Sequence, residues 1–458
     1  MFRQTLANLF NFFTTFLFQV LLAYRFGAEK DLSILLMLIG ISTGVISIFA
    51  NTAQVGLLPS IASGGISKRI ALKKMRVINY SGNLINVIVT FSLAQSHILK
   101  FQLDKPKIYF CLIFGALQLL ALNLTTLLLS KEKVSLALFS PSIPSLIGIV
   151  FVALTSSIYL IMSGLVFGTF FQILFLIFNL KNSELTVETN SVEVPKYSVL
   201  FLNLFQYFSL SMGSIVQKMG LQNHSFESLS IFNYADRIAS NTQGVAINGI
   251  SIGLFSEWSQ RKNILVEISK IKHQIIQVYE VLLLFVILLS SFSRDIVAIL
   301  FQRGEFDRNI SLQVSQVLLQ MQILIVLQTI GLLWANILYS MGSINSPSFF
   351  GIFQTTVTIV ICILNWDRLS AIYLVEMLIA INSLVIVCKL LFISLFFRQR
   401  IESVLLRWFT KISVLYLLIF ILSVSILLNI NYLMRIVLVL IISIFCIYRV
   451  IFRMKQLK

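Results

Sequence analysis

The chain has 458 residues, of which 58% are hydrophobic and 12% charged, and its mean hydropathy is +0.93. Apolar runs of roughly 20 residues, the length that crosses a bilayer, repeat from end to end and exclude a soluble globular domain. The net charge of +17 does not point to nucleic acid, because the cations form no single basic face and sit at the ends of the apolar runs.

The first run, Leu6 to Leu22, has no small-residue cleavage site and is followed at once by a second, so we read it as a retained helix and not a signal peptide. Breaks rich in charge or turn residues divide the chain into about fourteen helices. Their approximate limits are 4–24, 33–62, 77–97, 108–130, 134–154, 157–180, 197–219, 231–256, 274–292, 311–340, 347–365, 370–397, 411–428 and 433–453. The runs are too long and too uniformly apolar for barrel strands. The predicted fold is therefore an all-α polytopic membrane protein.

The polar break at 181–196 follows the sixth span, giving two six-helix lobes (1–180 and 197–397) around a central cavity, and two further helices in 398–458. A faint echo, Leu32-Ser33-Ile34 with Asn51-Thr52 against Leu229-Ser230-Ile231 with Asn241-Thr242, is the kind of repeat that transporters carry. With the N-terminus in the cytoplasm, 22 Lys and Arg fall inside and 11 outside, which places both termini in the cytoplasm. The four cysteines lie within apolar runs and the three histidines are scattered. Neither a disulfide framework nor a metal site is expected, and no cofactor is implied.

At about 100° per residue, polar residues collect on one side of four helices. The first carries Gln4, Asn8, Asn11, Thr15, Gln19 and Arg25, and the second Gly40, Gly44, Ser47, Asn51 and Gln54. The seventh has Asn203, Gln206, Tyr207, Ser214, Gln217 and Lys218, and the eighth Asn233, Arg237, Ser240, Gly244, Asn248 and Ser251. These are the first two helices of each lobe, which suggests one polar cavity. The competing reading is packing, since membrane helices use Ser and Asn to hold neighbours and Gly to approach closely. A similar row on the third helix, Asn79, Asn83, Asn86 and Thr90, is read as packing.

Arg237 stands apart. A charge near the bilayer centre costs roughly 2.5–3.5 kcal/mol on insertion scales, and intramembrane ionisable groups default to function. Its neighbour Asp236 either neutralises it or faces another helix. Arg25 is either a cavity cation or a residue snorkelling to the interface. Lys389 and Glu376, in the twelfth helix, are weaker candidates. A guanidinium offers paired donors matched to phosphate oxygens, so a cavity holding Arg25, Lys218 and Arg237 suits an anionic head group.

No nucleotide-binding Gly-x-x-x-x-Gly-Lys-Ser/Thr loop is present. The outward loops are short, the one around Arg303, Glu305 and Asp307 being the single candidate for catalysis, and the chain is not read as an enzyme.

Several stretches resemble one family in order and spacing. They are Arg25-Phe26-Gly27-Ala28 followed by Asp31, then Tyr234-Ala235-Asp236-Arg237 with Gly244-Val245-Ala246, then Phe301 to Asp307, then Tyr339-Ser340-Met341-Gly342 with Pro347. Together they resemble the MurJ (MviN) family of the multidrug/oligosaccharidyl-lipid/polysaccharide exporter superfamily. The resemblance implies two six-helix lobes forming a cationic cavity, alternating access, and a final helix pair grooved for a lipid tail. It implies a flippase for a lipid-linked saccharide with a pyrophosphate head group, namely the peptidoglycan precursor lipid II, in the bacterial cytoplasmic (inner) membrane.

The resemblance makes Arg25 and Arg237 substrate-contacting, and the candidate set also holds Asp31, Asp236, Lys218, Gln19, Asn51, Asn241 and Asn248. The partners implied are the lipid substrate, the bilayer, a coupling cation or the membrane potential, and the cell-wall synthesis machinery. Where the family usually has a further arginine this chain has Gln19, and Ile46-Ser47-Ile48 stands where it has an arginine pair. A sodium-liganding acid of some members falls at Gln217. The alternatives are a flippase for another lipid-linked polysaccharide unit (Wzx-like) and a cation-coupled drug exporter of the same superfamily. The exporter would need acids in the first six spans, which have almost none.

Overall fold

The computed structural model describes residues 2–27, 30–62, 68–95, 104–130, 133–181, 197–243, 268–302, 306–340, 345–396 and 402–428. They are almost wholly helical. In chain order the helices are α1 (Phe2–Phe26), α2 (Lys30–Ala62), α3 (Lys68–Gln95), α4 (Lys105–Ser130), α5 (Val134–Phe139), α6 (Ser142–Leu154), α7 (Ile158–Lys181), α8 (Tyr197–His224) and α9 (Phe226–Gln243). Then come α10 (Ile268–Ser291), α11 (Ser293–Phe301), α12 (Arg308–Ser340), α13 (Asn345–Leu364), a 3₁₀ turn (Trp366–Arg368), α14 (Ala371–Phe396) and α15 (Glu402–Leu428). Among the described residues nine helical stretches are long and apolar enough to cross a membrane. The fourteenth expected span, 433–453, lies outside the described residues, as does the second half of the eighth.

Several boundaries differ from the sequence reading, among them the start of the thirteenth span, expected at 411 and found at Glu402. The span expected at 134–154 is two helices, because Pro141 has no N–H to donate and cannot continue α5. Ser140 and Ser142 turn their hydroxyls onto the carbonyls of Ala137 (3.1 Å) and Phe139 (2.6 Å) at that junction. Helix α3 begins at Lys68, nine residues before the hydrophobic run at 77, so its basic first turns prolong it beyond the apolar span. Pro106 and Pro347 fall in the first turns of α4 and α13, where a missing N–H is harmless.

By contact density the chain forms two units. The first comprises residues 1–233, 301–310 and 351–374; the second comprises 234–300, 311–350 and 375–458. In the first unit α2 is central, packed against α3, α4 and α8, and 78% of its apolar window is buried. Its residues Leu32 to Leu38 are all buried, as expected of a helix that is hydrophobic all round.

Helix α3 is the reverse case, with 17% of its window buried. It turns Tyr80, Leu84, Ile88 and Phe91 outward and keeps Gly82, Asn86 and Thr90 inside. The amide of Asn86 donates to the carbonyl of Cys111 on α4 (3.1 Å), and Asn79 accepts from Asn123. This row is packing, as the sequence suggested. Beyond it, α1 packs on α5 and α6, and α7 on α4 and α6.

In the second unit, α10 packs along α15. Tyr279 stacks on Tyr416 (ring centres 5.0 Å apart) and shares a hydrogen bond with Ser413 (2.6 Å). Trp334 of α12 is fully buried and meets Phe350 edge-on, and Phe350 in turn meets Phe392. The carboxylate of Glu376 accepts a hydrogen bond from the amide of Gln320 (3.0 Å), a partner that the sequence did not reveal.

Candidate functional site

Helix α1 ends because Gly27 adopts a left-handed backbone (φ 55°), and its N–H closes on the carbonyl of Ala23 (2.8 Å). That cap leaves Arg25 in the last turn with its side chain exposed, where a cation complements the helix dipole. Asp31 is exposed in the first turn of α2, the end that favours an acid. Beside it the Lys30 ammonium lies 5.6 Å from the ring centre of Phe226. Gln19, two turns before the end of α1, is 3% exposed, and its carbonyl oxygen has no hydrogen-bond partner. A buried acceptor of this kind costs about 1–3 kcal/mol.

The polar row of α2 is resolved differently from the cavity wall that its helical wheel suggested. Gly40, Gly44 and Ser47 face α8. A β-carbon on Gly40 would come within 2.9 Å of the Lys218 side chain, and one on Gly44 within 3.0 Å of Ile215. Ser47 and Ser211 share a hydrogen bond (2.7 Å), and Ser33 and Ser230 another (2.7 Å). Helical angle groups residues on a face but does not say which neighbour meets it; here close approach through small residues fills the space. Lys218 is half-buried, laid along Gly40. Asn51 is in α2, but its side chain is not among those described.

In α9, Tyr234 and Ala235 are fully buried, and Asp236 and Arg237 are half-buried. These four belong to the second unit, whereas Gln19, Arg25, Asp31, Asn51 and Lys218 belong to the first. Asn233 bonds its own helix, donating to the carbonyl of Leu229 (2.7 Å), so it is structural. Asn241 lies in α9 without a described side chain, and Asn248 is outside the described residues. Among the described residues no group of three His, Cys, Asp or Glu side chains could hold a metal ion.

One polar cluster escaped the sequence reading. Asp104 caps α4, accepting from the backbone N–H of Lys107 (3.2 Å), the Lys107 ammonium (3.0 Å) and the Tyr159 hydroxyl (2.9 Å). Partial burial pushes its carboxyl up, but the bonds from Lys107 and Tyr159 outweigh that and hold it below the usual carboxylate range. An acid just before a helix was the available sequence signal; the tyrosine, 55 residues later, was not foreseeable.

The model of the family described as "Lipid II flippase MurJ" matches residues 99–448. Among solved structures, a lipid II flippase MurJ in an inward closed conformation aligns over 100% of both chains, with a TM-score of 0.70 at 17% identity. A MOP-superfamily transporter from Pyrococcus furiosus aligns over 93% of this chain and 96% of that one (TM-score 0.58, 12% identity). A multidrug resistance MATE transporter covers 93% and 99% (TM-score 0.55, 11% identity). At these identities the structural likeness establishes the fold. No curated protein sequence matches significantly. A membrane-spanning helical chain whose sequence fits the family model over well more than half its length, this protein belongs to the MurJ lipid II flippase family.

Proposed function

We propose that the chain is a flippase for a polyprenyl-pyrophosphate-linked saccharide, the peptidoglycan precursor lipid II, working by alternating access in the bacterial cytoplasmic membrane with both termini inside. Membership of the family over residues 99–448, a stretch that includes Arg237, carries this reading. Arg25 and Arg237 hold the pyrophosphate, Asp236 keeps the charge at Arg237 tolerable in the membrane, and Lys218, Asp31, Gln19, Asn51, Asn241 and Asn248 complete the lining. The two lobes are residues 1–180 and 197–397. No bond is made or broken, and a coupling cation or the membrane potential supplies the energy.

On this reading the α2–α8 seam, which lies within one compact unit, is where the two proposed lobes part. The test is depletion of the resident peptidoglycan flippase in a host strain, rescue with this chain, and measurement of outward exposure of labelled precursor. Arg237→Ala is expected to reduce exposure by at least ~30-fold, the counterpart of about 2 kcal/mol for removing a buried charge contact. Unchanged exposure removes Arg237 from the mechanism.

A second reading has its own observation. Gln19, buried with an unpartnered carbonyl oxygen, stands where the family usually has an arginine, which favours a different lipid-linked saccharide. Failure of the membrane-inserted chain to rescue lipid II exposure would select it.

A further inference from the structure

Within the second unit, α12, α14 and α15 leave a shallow, partly open groove whose wall includes Ile330, Ile386, Val414 and Leu417. Lys389 also lines it. This side chain is 9% exposed, and its ammonium lies 4.9 Å from the centre of the Trp334 ring. Among the described residues no hydrogen bond or ion pair reaches it. The indole N–H of Trp334 is likewise buried without a partner. The ammonium packs closely over Gly331, where a β-carbon would come 3.3 Å from the nitrogen.

A buried cation and a buried donor at one wall of an apolar groove lack a common acceptor. The ring face alone offsets only part of the cost. The location narrows what the acceptor can be. Lys389 lies seven residues before the end of α14, about 10 Å along a helix that overhangs a ~30 Å hydrocarbon core by only a few ångströms. A hydrated ion does not enter hydrocarbon at that depth, whereas a phosphate tethered to acyl chains reaches it from the interface. The groove also opens sideways. Val414 is 45% exposed and continues into Leu415 and Leu418, also exposed, so its rim is bathed by acyl chains in the bilayer.

We propose that this groove binds an anionic phospholipid of the surrounding bilayer, with its phosphate accepting from the Lys389 ammonium and the Trp334 N–H and one acyl chain along Ile330, Ile386 and Leu417. None of the residues proposed to line the head-group cavity lines this groove, and the proposal stands whether or not lipid II is the cargo.

The test uses the full chain, purified in neutral detergent without precursor, and reads its unfolding midpoint with added dioleoyl phosphatidylglycerol or dioleoyl phosphatidylcholine. The native chain is expected to gain several degrees more from the anionic lipid. Lys389→Gln loses that difference, Lys389→Arg keeps at least half, and Lys411→Gln, at an exposed cation on α15, keeps it all. A native chain without the preference, or a Lys389→Gln chain that retains it, overturns the site. Should Lys389→Gln not fold, bromine-labelled phosphatidylglycerol decides. It must quench the native chain's tryptophan fluorescence more than that of Trp334→Phe, and equal quenching refutes the site.

Discussion

Two glycine pairs bring helices together in the first unit, and they do so in opposite ways. In α7, Gly164 and Gly168 meet the ring of Phe151 and the backbone of Pro144; a β-carbon at Gly168 would come 2.7 Å from the proline Cα. In α2, Gly40 meets the Lys218 side chain and Gly44 the buried Ile215 side chain, flanked by the Ser47–Ser211 and Ser33–Ser230 pairs. Both are spaced i, i+4, and sequence alone treats them alike. The first is rigid against rigid, within one proposed lobe. The second is held by side chains and paired hydroxyls, and within the first unit it joins helices of the two proposed lobes. On the proposed alternating access, the first joint stays shut and the second opens.

The largest expected effect separates the joints directly. Ser47→Cys with Ser211→Cys, oxidised to a disulfide, is expected to stop precursor exposure completely, with recovery on reduction. The matched control, Thr15→Cys with Ser145→Cys, replaces a pair of hydroxyls 3.2 Å apart between α1 and α6 of one proposed lobe, and transport should continue when it is oxidised. Transport through a closed Ser47–Ser211 link would break the comparison.

Next comes a stability contrast. Gly168→Leu meets backbone that cannot move aside and should cost 3 kcal/mol or more, near the top of the overpacking range, seen as lost folded protein on size exclusion. Gly40→Ala meets the mobile end of Lys218 and should cost no more than about 1 kcal/mol by unfolding midpoint. Equal losses would make the two joints equally rigid.

The smallest effect tests the α4–α7 edge, away from both joints. The carboxyl of Asp104 is held below its ordinary value of 3.8, so its contribution to stability is present above that value and fades as pH falls through the lower folded value. The site is exposed, and Asp104→Asn should cost only a few tenths of a kcal/mol near neutral pH, with a flatter acid limb in a pH series.

Much of the scaffold was readable from the chain because bilayer thickness imposes a length on every span, and composition reveals that length. Pro141 escaped because the apolar run continues across it, and hydropathy cannot see a missing backbone donor. The start of α3 escaped because Lys68 to Arg76 are charged, although a helix need not stop where hydrocarbon does. Arg25 and Asp236-Arg237 could be proposed residue by residue, because charge inside or beside an apolar run is its own signal. The face of α2 was misread because periodicity gives direction on a wheel but not the identity of the neighbour. Lys389 was noted as a weak candidate; its isolation among aromatic and aliphatic groups depends on three helices far apart in sequence, which no local pattern encodes.

The left-handed residue at 27 carries a consequence for evolution. Arg25 has its place because the chain turns sharply two positions later. The guanidinium can therefore be exchanged for another head without moving its anchor, while any β-carbon at the turn would swing the anchor itself. The head group at this spot is free to drift; the address is not.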